Sequence, residues 1–362
     1  MEENFSKMSL NREFNHENKQ SLYYILSNIW GFVPLKILSF MIKSGFWDYV
    51  YKEISVSKNE CCEYFGWKER PINRILDLLV NLEMISIHHD NINLTPLAKK
   101  WLVSDSKNYL GKFVLRANEL QKAYDNLDNL LMTDEPDSIM HNSTLDSFGR
   151  NSNITEDFTK SMDSMTIEFV EEIASKFNFK PKHKILDMGA GLGTISCFLS
   201  NQFPHLDITA VDLPGVTKYS KNYIEKHAIK PDKIKIVTSD WRSLKHSNND
   251  LYDTIILSQI LHEEKKEDSS NLIKLCSELL CENGHLIIIG FIDSSGFYSL
   301  ISNIFSMNML FELGSDNIKK EEITELANAY DIFYQSDYYL SGGRLIWIGE
   351  KRTITRGVTN LG

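Results

Sequence analysis

The feature that most constrains this 362-residue chain is a regular alternation of short apolar runs and amphipathic stretches that begins at His183. The apolar runs are KILDMGA, DITAVDL, KIKIVTSD, YDTIILSQI and HLIIIGF, and each has the length of a buried strand. Stretches of helical character lie between and after them, at residues 192–203, 215–229, 265–281 and 297–312. Repeated strand–helix units predict a mostly parallel sheet with helices on both faces.

The end of the chain adds two more strands to this pattern. The segments DIFYQSDYYL and RLIWIGEK flank the turn Ser341-Gly342-Gly343, which predicts an antiparallel hairpin at the sheet edge. We therefore expect an α/β, Rossmann-like domain over residues 181–352, with a mostly parallel seven-stranded sheet and an antiparallel C-terminal hairpin. Residues 353–362 are expected to form a tail.

Residues 1–110 have a different pattern, with short helices followed by a hairpin. From Arg70 to Glu83, apolar residues recur at helical spacing, at Ile72, Ile75, Leu76, Leu79 and Val80. The run MISIHHDNINL then alternates on either side of Asp90-Asn91, as in a β-hairpin, and Thr95-Pro96 opens another helix. This order predicts a mainly α-helical winged-helix module.

A winged helix raises the hypothesis of DNA binding, with a protein–protein module as the alternative. Residues 1–110 carry 13 Lys or Arg and 13 Asp or Glu, so the module is neutral. A DNA-binding module usually has a basic face, which favours the protein–protein interpretation. Between the two domains, residues 111–180 are amphipathic and predict a helical connector that contributes to a substrate pocket.

Composition excludes several classes of protein. The net charge of −10 argues against a main role in binding nucleic acid or an anionic membrane. The five cysteines form no CxxC pair, so neither a disulfide framework nor a zinc site is indicated. The chain opens on polar residues and has no apolar run of about 20 residues, so we expect a cytoplasmic protein that does not enter membranes.

The first strand of the alternating region runs directly into a glycine loop, Asp187-Met-Gly189-Ala-Gly191-Leu-Gly193. Glycines at a strand-to-helix turn allow close backbone approach to a ligand, and the helix N-terminus offers free N–H groups. The second strand ends at Asp212, at the spacing of about 20 residues typical of a carboxylate that binds a ribose diol. Together these residues predict a nucleoside-type cofactor.

The loop also indicates which cofactor this is. A dinucleotide loop of the form GxGxxG would need glycine where this chain has Thr194. The carboxylate of Asp187 suits the amino group of a methionine-type tail better than a pyrophosphate, which it would repel. The loop therefore points to S-adenosylmethionine (SAM), and Asp240-Trp241 after the third strand can bind an adenine amine and cover its ring.

The segments ILDMGAGLGT, AVDLPGV, TSDWRS and LSQILHEE, in this order behind a winged-helix pattern, resemble the plant-type small-molecule O-methyltransferases. That family includes caffeate- and hydroxyindole-type enzymes and many bacterial natural-product enzymes. The resemblance extends from about residue 20 to residue 350. It implies SAM as methyl donor, S-adenosylhomocysteine (SAH) as product, a small-molecule acceptor and a homodimer formed by the N-terminal module.

The resemblance also implies roles for individual residues. His262 corresponds to the general base that takes the proton from the acceptor hydroxyl. The implied cofactor-binding residues are Asp187, Gly189, Gly191, Gly193, Asp212, Leu213, Asp240, Trp241, Ser258 and Gln259. Full proton transfer from a phenol to an ordinary His would cost about 5 kcal/mol, so the proton is expected to move together with methyl transfer.

The chain departs from the family pattern around this base. The family usually continues after it with Asp-Trp, whereas this chain has Glu263-Glu264, and Glu263 is a second candidate catalytic residue. Two further glutamates that flank the base in plant members align with Gly290 and Asn317. The nearby carboxylates able to substitute for them are those of Glu263, Asp293 and Asp316.

The resemblance places the acceptor pocket on the connector and on the late helix SMNMLFE. The candidate substrate-binding residues are Phe158, Met162, Met165, Asn308 and Met309. Such an apolar pocket favours a flat aromatic or polyketide-like acceptor, and ordinary helix core is the alternative for each residue. No His, Cys or carboxylate cluster indicates a metal site.

Three alternatives to O-methylation stay open at this stage. Methyl transfer to nitrogen or carbon uses the same scaffold. A member of the same fold that no longer methylates would bind SAM while catalysing cyclisation or decarboxylation. A SAM-sensing DNA-binding regulator would belong to another class of protein.

Overall fold

The computed structural model describes residues 22–136, 152–177, 179–180, 182–244, 251–292, 298–315 and 318–352. The chain divides into two compact units, with the boundary between Glu119 and Leu120. Within the described ranges, every helix is too short or too polar to cross a membrane.

The N-terminal unit consists of short helices and a small sheet. In chain order its elements are α1 (Leu22–Ile29), α2 (Phe32–Lys43), α3 (Phe46–Glu53), β1 (Val56–Ser57), α4 (Lys58–Phe65), α5 (Glu69–Asn81), β2 (Ile85–His88), β3 (Asn91–Leu94) and α6 (Pro96–Trp101), with α7 (Gly111–Leu120) at the boundary. The three strands are antiparallel in the order β1-β3-β2.

The hairpin expected around Asp90-Asn91 forms one residue earlier, because both turn residues, His89 and Asp90, have positive φ angles of 49° and 65°. Two such residues match the right-handed twist of the flanking strands. Helix α6 begins after Thr95, whose Oγ1 accepts a hydrogen bond from the N–H of Ala98 at 3.3 Å. Of the apolar face predicted for α5, Ile72, Leu76 and Leu79 are buried and Ile75 is half-buried, whereas Val80 is 39% exposed.

The C-terminal unit contains the large sheet and the helices that cover it. Its helices are α8 (Leu127–Thr133), α9 (Ser152–Lys176), α10 (Thr194–Gln202), α11 (Pro214–His227), α12 (Lys266–Leu279), α13 (Ser299–Leu313) and α14 (Lys320–Ala329). Its strands are β4 (Lys184–Met188), β5 (Asp207–Asp212), β6 (Ile234–Thr238), β7 (Tyr252–Ser258), β8 (Leu280–Gly290), β9 (Ile332–Leu340) and β10 (Arg344–Lys351).

The strand order in this sheet is β6-β5-β4-β7-β8-β10-β9. The first five strands are parallel, and β10 pairs antiparallel with both β8 and β9. The predicted fold, a mostly parallel seven-stranded sheet with an antiparallel C-terminal hairpin, is therefore confirmed. The strand order reverses between β4 and β7, the kind of position where open α/β sheets bind ligands.

Two apolar layers cover the sheet because successive strand residues point to opposite faces. On β8, Leu286 and Ile288 pack with residues of α12 and α14, whereas Ile287 and Ile289 pack with residues of α9, α10 and α11. The same alternation holds on β4, β7 and β10. Burial on both faces explains why these strands appear as continuous apolar runs.

Truncating a side chain in one of these layers should destabilise the C-terminal unit. Leu286→Ala removes a fully buried side chain from β8, and we expect a loss of about 2–5 kcal/mol in the free energy of unfolding. Leu131→Ala on α8 is the matched control because Leu131 is 76% exposed, and we expect a change within about 0.5 kcal/mol. Denaturant unfolding measures both values, and similar losses would contradict the assigned core.

Candidate functional site

A cavity of about 370 Å³ lies at the carboxyl ends of β4, β5 and β7, where the strand order reverses. Its size falls within the range of about 300–1,000 Å³ found for small-molecule sites. The glycine loop, Asp212, Trp241, His262 and Arg344 all contribute to its lining. The tertiary structure therefore brings the predicted cofactor loop and the predicted base into one site.

The glycine loop turns sharply after β4. Gly189, Gly191 and Gly193 have φ angles of 71°, 59° and 86°, in the left-handed region that favours glycine. A Cβ atom at Gly193 would lie 2.8 Å from Cδ1 of Ile224, whereas one at Gly191 would meet no described atom within 4 Å. Gly191 lines the cavity and has open space around it, whereas Gly193 is not among the described lining residues and instead permits close packing of α10 against α11.

Asp212 joins the end of β5 to this loop. Its two carboxylate oxygens accept hydrogen bonds of 2.7 Å from the backbone N–H groups of Gly191 and Leu213. Burial raises the pKa of Asp212 to about 6, although both hydrogen bonds favour the charged form. The carboxylate is thus held in one orientation at the rim of the cavity, where a ligand diol can reach it.

Asp187 is 1% exposed and lines the same cavity. Its Oδ2 accepts a 2.7 Å hydrogen bond from Ser196, while its Oδ1 has no hydrogen-bond partner among the described residues. Burial raises its pKa to about 6, and the nearby charge of Asp212 adds to the shift. An orphaned carboxylate oxygen in a cavity fits a ligand that brings an ammonium or N–H donor.

The indole ring of Trp241 is held by a hydrogen bond at its edge and by a cation–π contact on one face. Its Nε1 donates a 2.7 Å hydrogen bond to Glu264, and the guanidinium of Arg242 lies 4.5 Å from the ring centroid. Arg242 also pairs with Glu264 and, at 3.4 Å, with Asp240. The sequence showed Glu264 only as a departure from the family pattern, and its contact with Trp241 depends on the folded chain.

Ser258 and Gln259 follow β7 into the cavity. Gln259 has a φ angle of 60°, and its backbone N–H donates a 2.8 Å hydrogen bond to Ile289. Both polar atoms of its side chain are buried and find no partner in the described part of the chain. A strained residue with unsatisfied polar atoms is typical of a ligand-binding position.

His262 lies in a 3₁₀ turn, Leu261–Glu263, and is 7% exposed. Its ring packs edge-on against Phe305, with 4.8 Å between the centroids. Burial lowers its pKa to about 3, and the charge of Arg344 contributes to the shift. The imidazole is therefore neutral at neutral pH.

Gly290 lies beside this imidazole, since a Cβ atom there would be 3.6 Å from Nδ1 of His262. A carboxylate side chain at residue 290 would reach the ring and raise its pKa, which glycine cannot do. The other candidate positions around the base, Asp293, Asp316 and Asn317, lie outside the described residues.

Glu263 lines the cavity next to His262. Burial, together with the neighbouring carboxylates of Asp212, Glu264 and Glu312, raises its pKa to about 8. A carboxyl with this pKa is mostly protonated at pH 7 and can donate a hydrogen bond. It is therefore a poor electrostatic partner for a cationic imidazole.

Arg344 is a cavity residue that the sequence analysis missed. It is the first residue of β10, and the pairing of Leu345 with Gly290 places it at the carboxyl end of β8. The antiparallel direction of β10 thus brings its amino end to the edge of the sheet that holds the site. Neither a motif nor sequence spacing could have indicated this.

The predicted substrate residues do not all meet at the cavity. Met162 and Met165 of α9 line it. Asn308 accepts a 2.7 Å hydrogen bond from the hydroxyl of Tyr124, and neither it nor Met309 is among the described lining residues. The side chain of Phe158 lies outside the described residues. In the same ranges, no group of three or more His, Cys, Asp and Glu is arranged to hold a metal ion.

Residues 129–330, more than half of the chain, match the family model described as an O-methyltransferase domain. The chain belongs to this O-methyltransferase family. The resemblance inferred from the four sequence segments is thereby confirmed, and those segments all fall within the matched range.

Two curated relatives of this O-methyltransferase come from a plant and a bacterium. Myricetin 3'/5'-O-methyltransferase 1 of Solanum habrochaites is 22% identical over 288 residues, which cover 73% of this chain and 75% of the relative. The 3-hydroxy-5-methyl-1-naphthoate 3-O-methyltransferase of Streptomyces sahachiroi is 23% identical over 270 residues, covering 74% and 76%.

Among solved structures, human N-acetylserotonin methyltransferase in complex with SAM matches with a TM-score of 0.79 and 14% identity. The match covers 92% of this O-methyltransferase and 99% of the human chain. At this identity the similarity concerns the fold alone, and it agrees with the helical N-terminal region and mixed sheet described above.

Gly191 and Gly193 of the loop should respond differently to an added methyl group. Gly191→Ala introduces backbone strain alone, which costs about 1–2 kcal/mol. Gly193→Ala adds the 2.8 Å contact with Ile224 to the same strain, so we expect a clearly larger loss of unfolding free energy. Denaturant unfolding of both variants tests this, and an equal loss would mean that the loop relaxes away from α11.

His262 should make the free energy of unfolding fall as the pH is lowered from 7 to 5. Its folded pKa of about 3 lies below the ordinary value of 6.5, so between these pH values the unfolded chain binds more protons. Stability from this residue is present above pH 6.5 and is lost as the pH falls, by about 2 kcal/mol at pH 5. The raised pKa values of Asp187, Asp212 and Glu263 make the folded chain more stable as the pH falls. This effect is common to wild type and His262→Gln.

The difference in unfolding free energy between wild type and His262→Gln, measured from pH 7 to pH 5, isolates this contribution. The wild type should lose about 2 kcal/mol more than the variant. A difference that does not change with pH would show that His262 is solvated in the folded state.

Proposed function

We propose that this O-methyltransferase transfers the methyl group of SAM to a hydroxyl of a small, flat aromatic or polyketide-like natural product. One observation carries the proposal: a single cavity collects the glycine loop, Asp187, Asp212, Trp241 and His262. The names of the two relatives support the acceptor class, since myricetin and 3-hydroxy-5-methyl-1-naphthoate are both aromatic.

The residues present fit SAM as the cofactor. Asp212 would accept hydrogen bonds from the ribose diol, and the orphaned Oδ1 of Asp187 would accept one from the amino group of the methionine tail. Trp241 would lie against the adenine, with Asp240 beside it, and Gln259 would offer its unpaired amide to the tail. When bound, SAM supplies an electrophilic methyl group on a sulfonium.

The chemical work of the chain is then mainly to position the acceptor oxygen and to manage its proton. A phenol has a pKa of about 10, so full transfer of its proton to His262, whose pKa is about 3, would cost about 10 kcal/mol. We therefore assign to His262 a neutral imidazole that accepts a hydrogen bond from the hydroxyl and takes the proton only as the oxygen–methyl bond forms. This role favours an acidic hydroxyl.

We further propose that residues 1–110 form a winged-helix dimerisation module and that residues 111–180 serve as a connector, in a cytoplasmic enzyme. The equal numbers of acidic and basic residues in the module support protein association over DNA binding. Large apolar side chains exposed on the N-terminal unit, among them Ile29, Trp30 and Phe32, support self-association. Sedimentation equilibrium of the full chain tests this, and a monomer at micromolar concentration would contradict it.

SAM and SAH should bind the full chain, and Asp212→Ala should weaken both by about 10- to 100-fold, because hydrogen bonds to a charged group are lost. Asp207→Ala is the matched control, since Asp207 begins the same strand at its other end and pairs there with Lys233 at 2.9 Å. Calorimetric titration of the three proteins with each ligand measures all six affinities. Equal weakening by both variants, or no binding to wild type, would contradict the assigned site.

The glycine beside His262 favours a second candidate function. Gly290 offers no carboxylate to support proton removal by His262. A protein that binds SAM without consuming it would not need that support. Such a protein would catalyse cyclisation or decarboxylation of a similar small molecule. Formation of SAH in equal amount to the modified product would exclude this candidate, and SAM required but not consumed would establish it.

A further inference from the structure

Arg344 is a buried cation in the wall of the cavity. The residue is 4% exposed, and burial lowers its pKa to about 10, so it is still charged at neutral pH. Arginine is rarely buried this deeply unless it has an anionic partner. Neither the cofactor site nor the proton transfer described above uses this side chain.

Among the described residues, the contacts of Arg344 are with aromatic rings and a backbone carbonyl rather than with a close counter-ion. Its guanidinium lies between the rings of Phe169 and Phe291, 4.8 Å and 4.6 Å from their centroids. Its Nη1 donates a weak hydrogen bond of 3.4 Å to the carbonyl oxygen of Ser341, and its buried Nε has no acceptor among the described residues.

No carboxylate of the described ranges lies within 4.0 Å of this guanidinium. Glu168 acts on it from a greater distance, and its charge opposes the effect of burial on the pKa of Arg344. A desolvated cation with an unused donor is costly in the free chain and favourable once a ligand brings an anion.

Aromatic rings connect Arg344 to the candidate base. Phe291 packs against both Arg344 and Phe305, with 4.3 Å between the two phenylalanine centroids, and Phe305 packs against His262. Arg344 and His262 both line the cavity, and the charge of Arg344 disfavours protonation of the imidazole. The two residues can act on one ligand.

We propose that Arg344 binds an anionic oxygen of the acceptor, so that the acceptor of this enzyme is an organic acid that carries the reacting hydroxyl on an aromatic ring. The proposal rests on the proposed methyltransferase function and specifies its substrate. The anionic oxygen belongs either to a carboxylate on the ring or to the acidic hydroxyl itself, bound in its ionised form.

Both sources fit a neutral His262. A carboxylate beside the reacting hydroxyl would take up the planar donors of the guanidinium and hold the ring in place. An ionised hydroxyl would already have lost its proton to solvent. In the first case His262 takes the hydroxyl proton as the oxygen–methyl bond forms. In either case that bond forms while the methyl–sulfur bond breaks, and the electron pair of the methyl–sulfur bond stays on sulfur.

The test measures binding of three probes to the SAH-loaded chain: a hydroxynaphthoate, its methyl ester and the corresponding naphthol. Arg344→Met removes the charge but keeps an apolar side chain between the two phenylalanine rings, and Arg344→Lys keeps the charge. Affinity for SAH and the thermal midpoint of each variant show whether the cofactor site and the fold are intact.

We expect Arg344→Met to weaken binding of the hydroxynaphthoate by about 10- to 100-fold while binding of the ester changes little, and Arg344→Lys to restore part of the loss. That result assigns the anion to the carboxylate. If all three probes depend on Arg344 and bind more tightly as the pH rises through the pKa of their hydroxyl, the anion is the ionised hydroxyl.

The proposal is overturned if Arg344→Met leaves binding of the acid unchanged, or if it weakens all probes equally at every pH. It is also overturned if the SAH-loaded wild type binds no acid in a series of one-, two- and three-ring hydroxyarenes. Failure of the wild type to bind SAM or SAH would instead refute the proposed function, so the two failures are distinguishable.

Discussion

The site depends on the backbone turn that follows β4. Three left-handed glycines reverse the chain within a few residues, and Asp212 ties this turn to the end of β5 through hydrogen bonds to Gly191 and Leu213. Because β5 and β7 lie on opposite sides of β4, the turn is placed where the strand order reverses. Asp187, Asp212 and Ser258 reach the same place because the parallel strands β4, β5 and β7 end at this edge, and Arg344 joins them from the amino end of the antiparallel strand β10.

Burial in this cavity acts on acids and bases in opposite directions. It raises the pKa values of Asp187, Asp212 and Glu263, and it lowers those of His262 and Arg344. Each shift reports the free-energy cost of holding a charge away from water. A cationic cofactor near the aspartates and an anionic acceptor near Arg344 would offset these costs within the one cavity. On this view the buried charges of the free chain lack opposite charges, and the two ligands supply them.

Much of the fold could be predicted from the sequence because its signals are local. The apolar runs of β4, β7 and β8 are continuous since both faces of these strands are buried. The turn at Ser341-Gly342-Gly343 predicts the final hairpin. The helical spacing of α5 likewise predicts the burial of Ile72, Leu76 and Leu79, although not the exposure of Val80. The turn between β2 and β3 lies one residue before its predicted position, because residue propensity does not decide which two residues take positive φ angles.

The sequence by itself determined the parallel sheet, the glycine loop with its carboxylates, and the position of His262 after β7, since each depends on residues close together in the chain. Only the tertiary structure decided what surrounds them. Glu264 holds Trp241, Gly290 lies beside His262, and Arg344 reaches the cavity from the antiparallel strand β10. These contacts join residues that are far apart in the chain. Strand direction brings the residues together and burial shifts their pKa values, and both arise only when the sheet assembles.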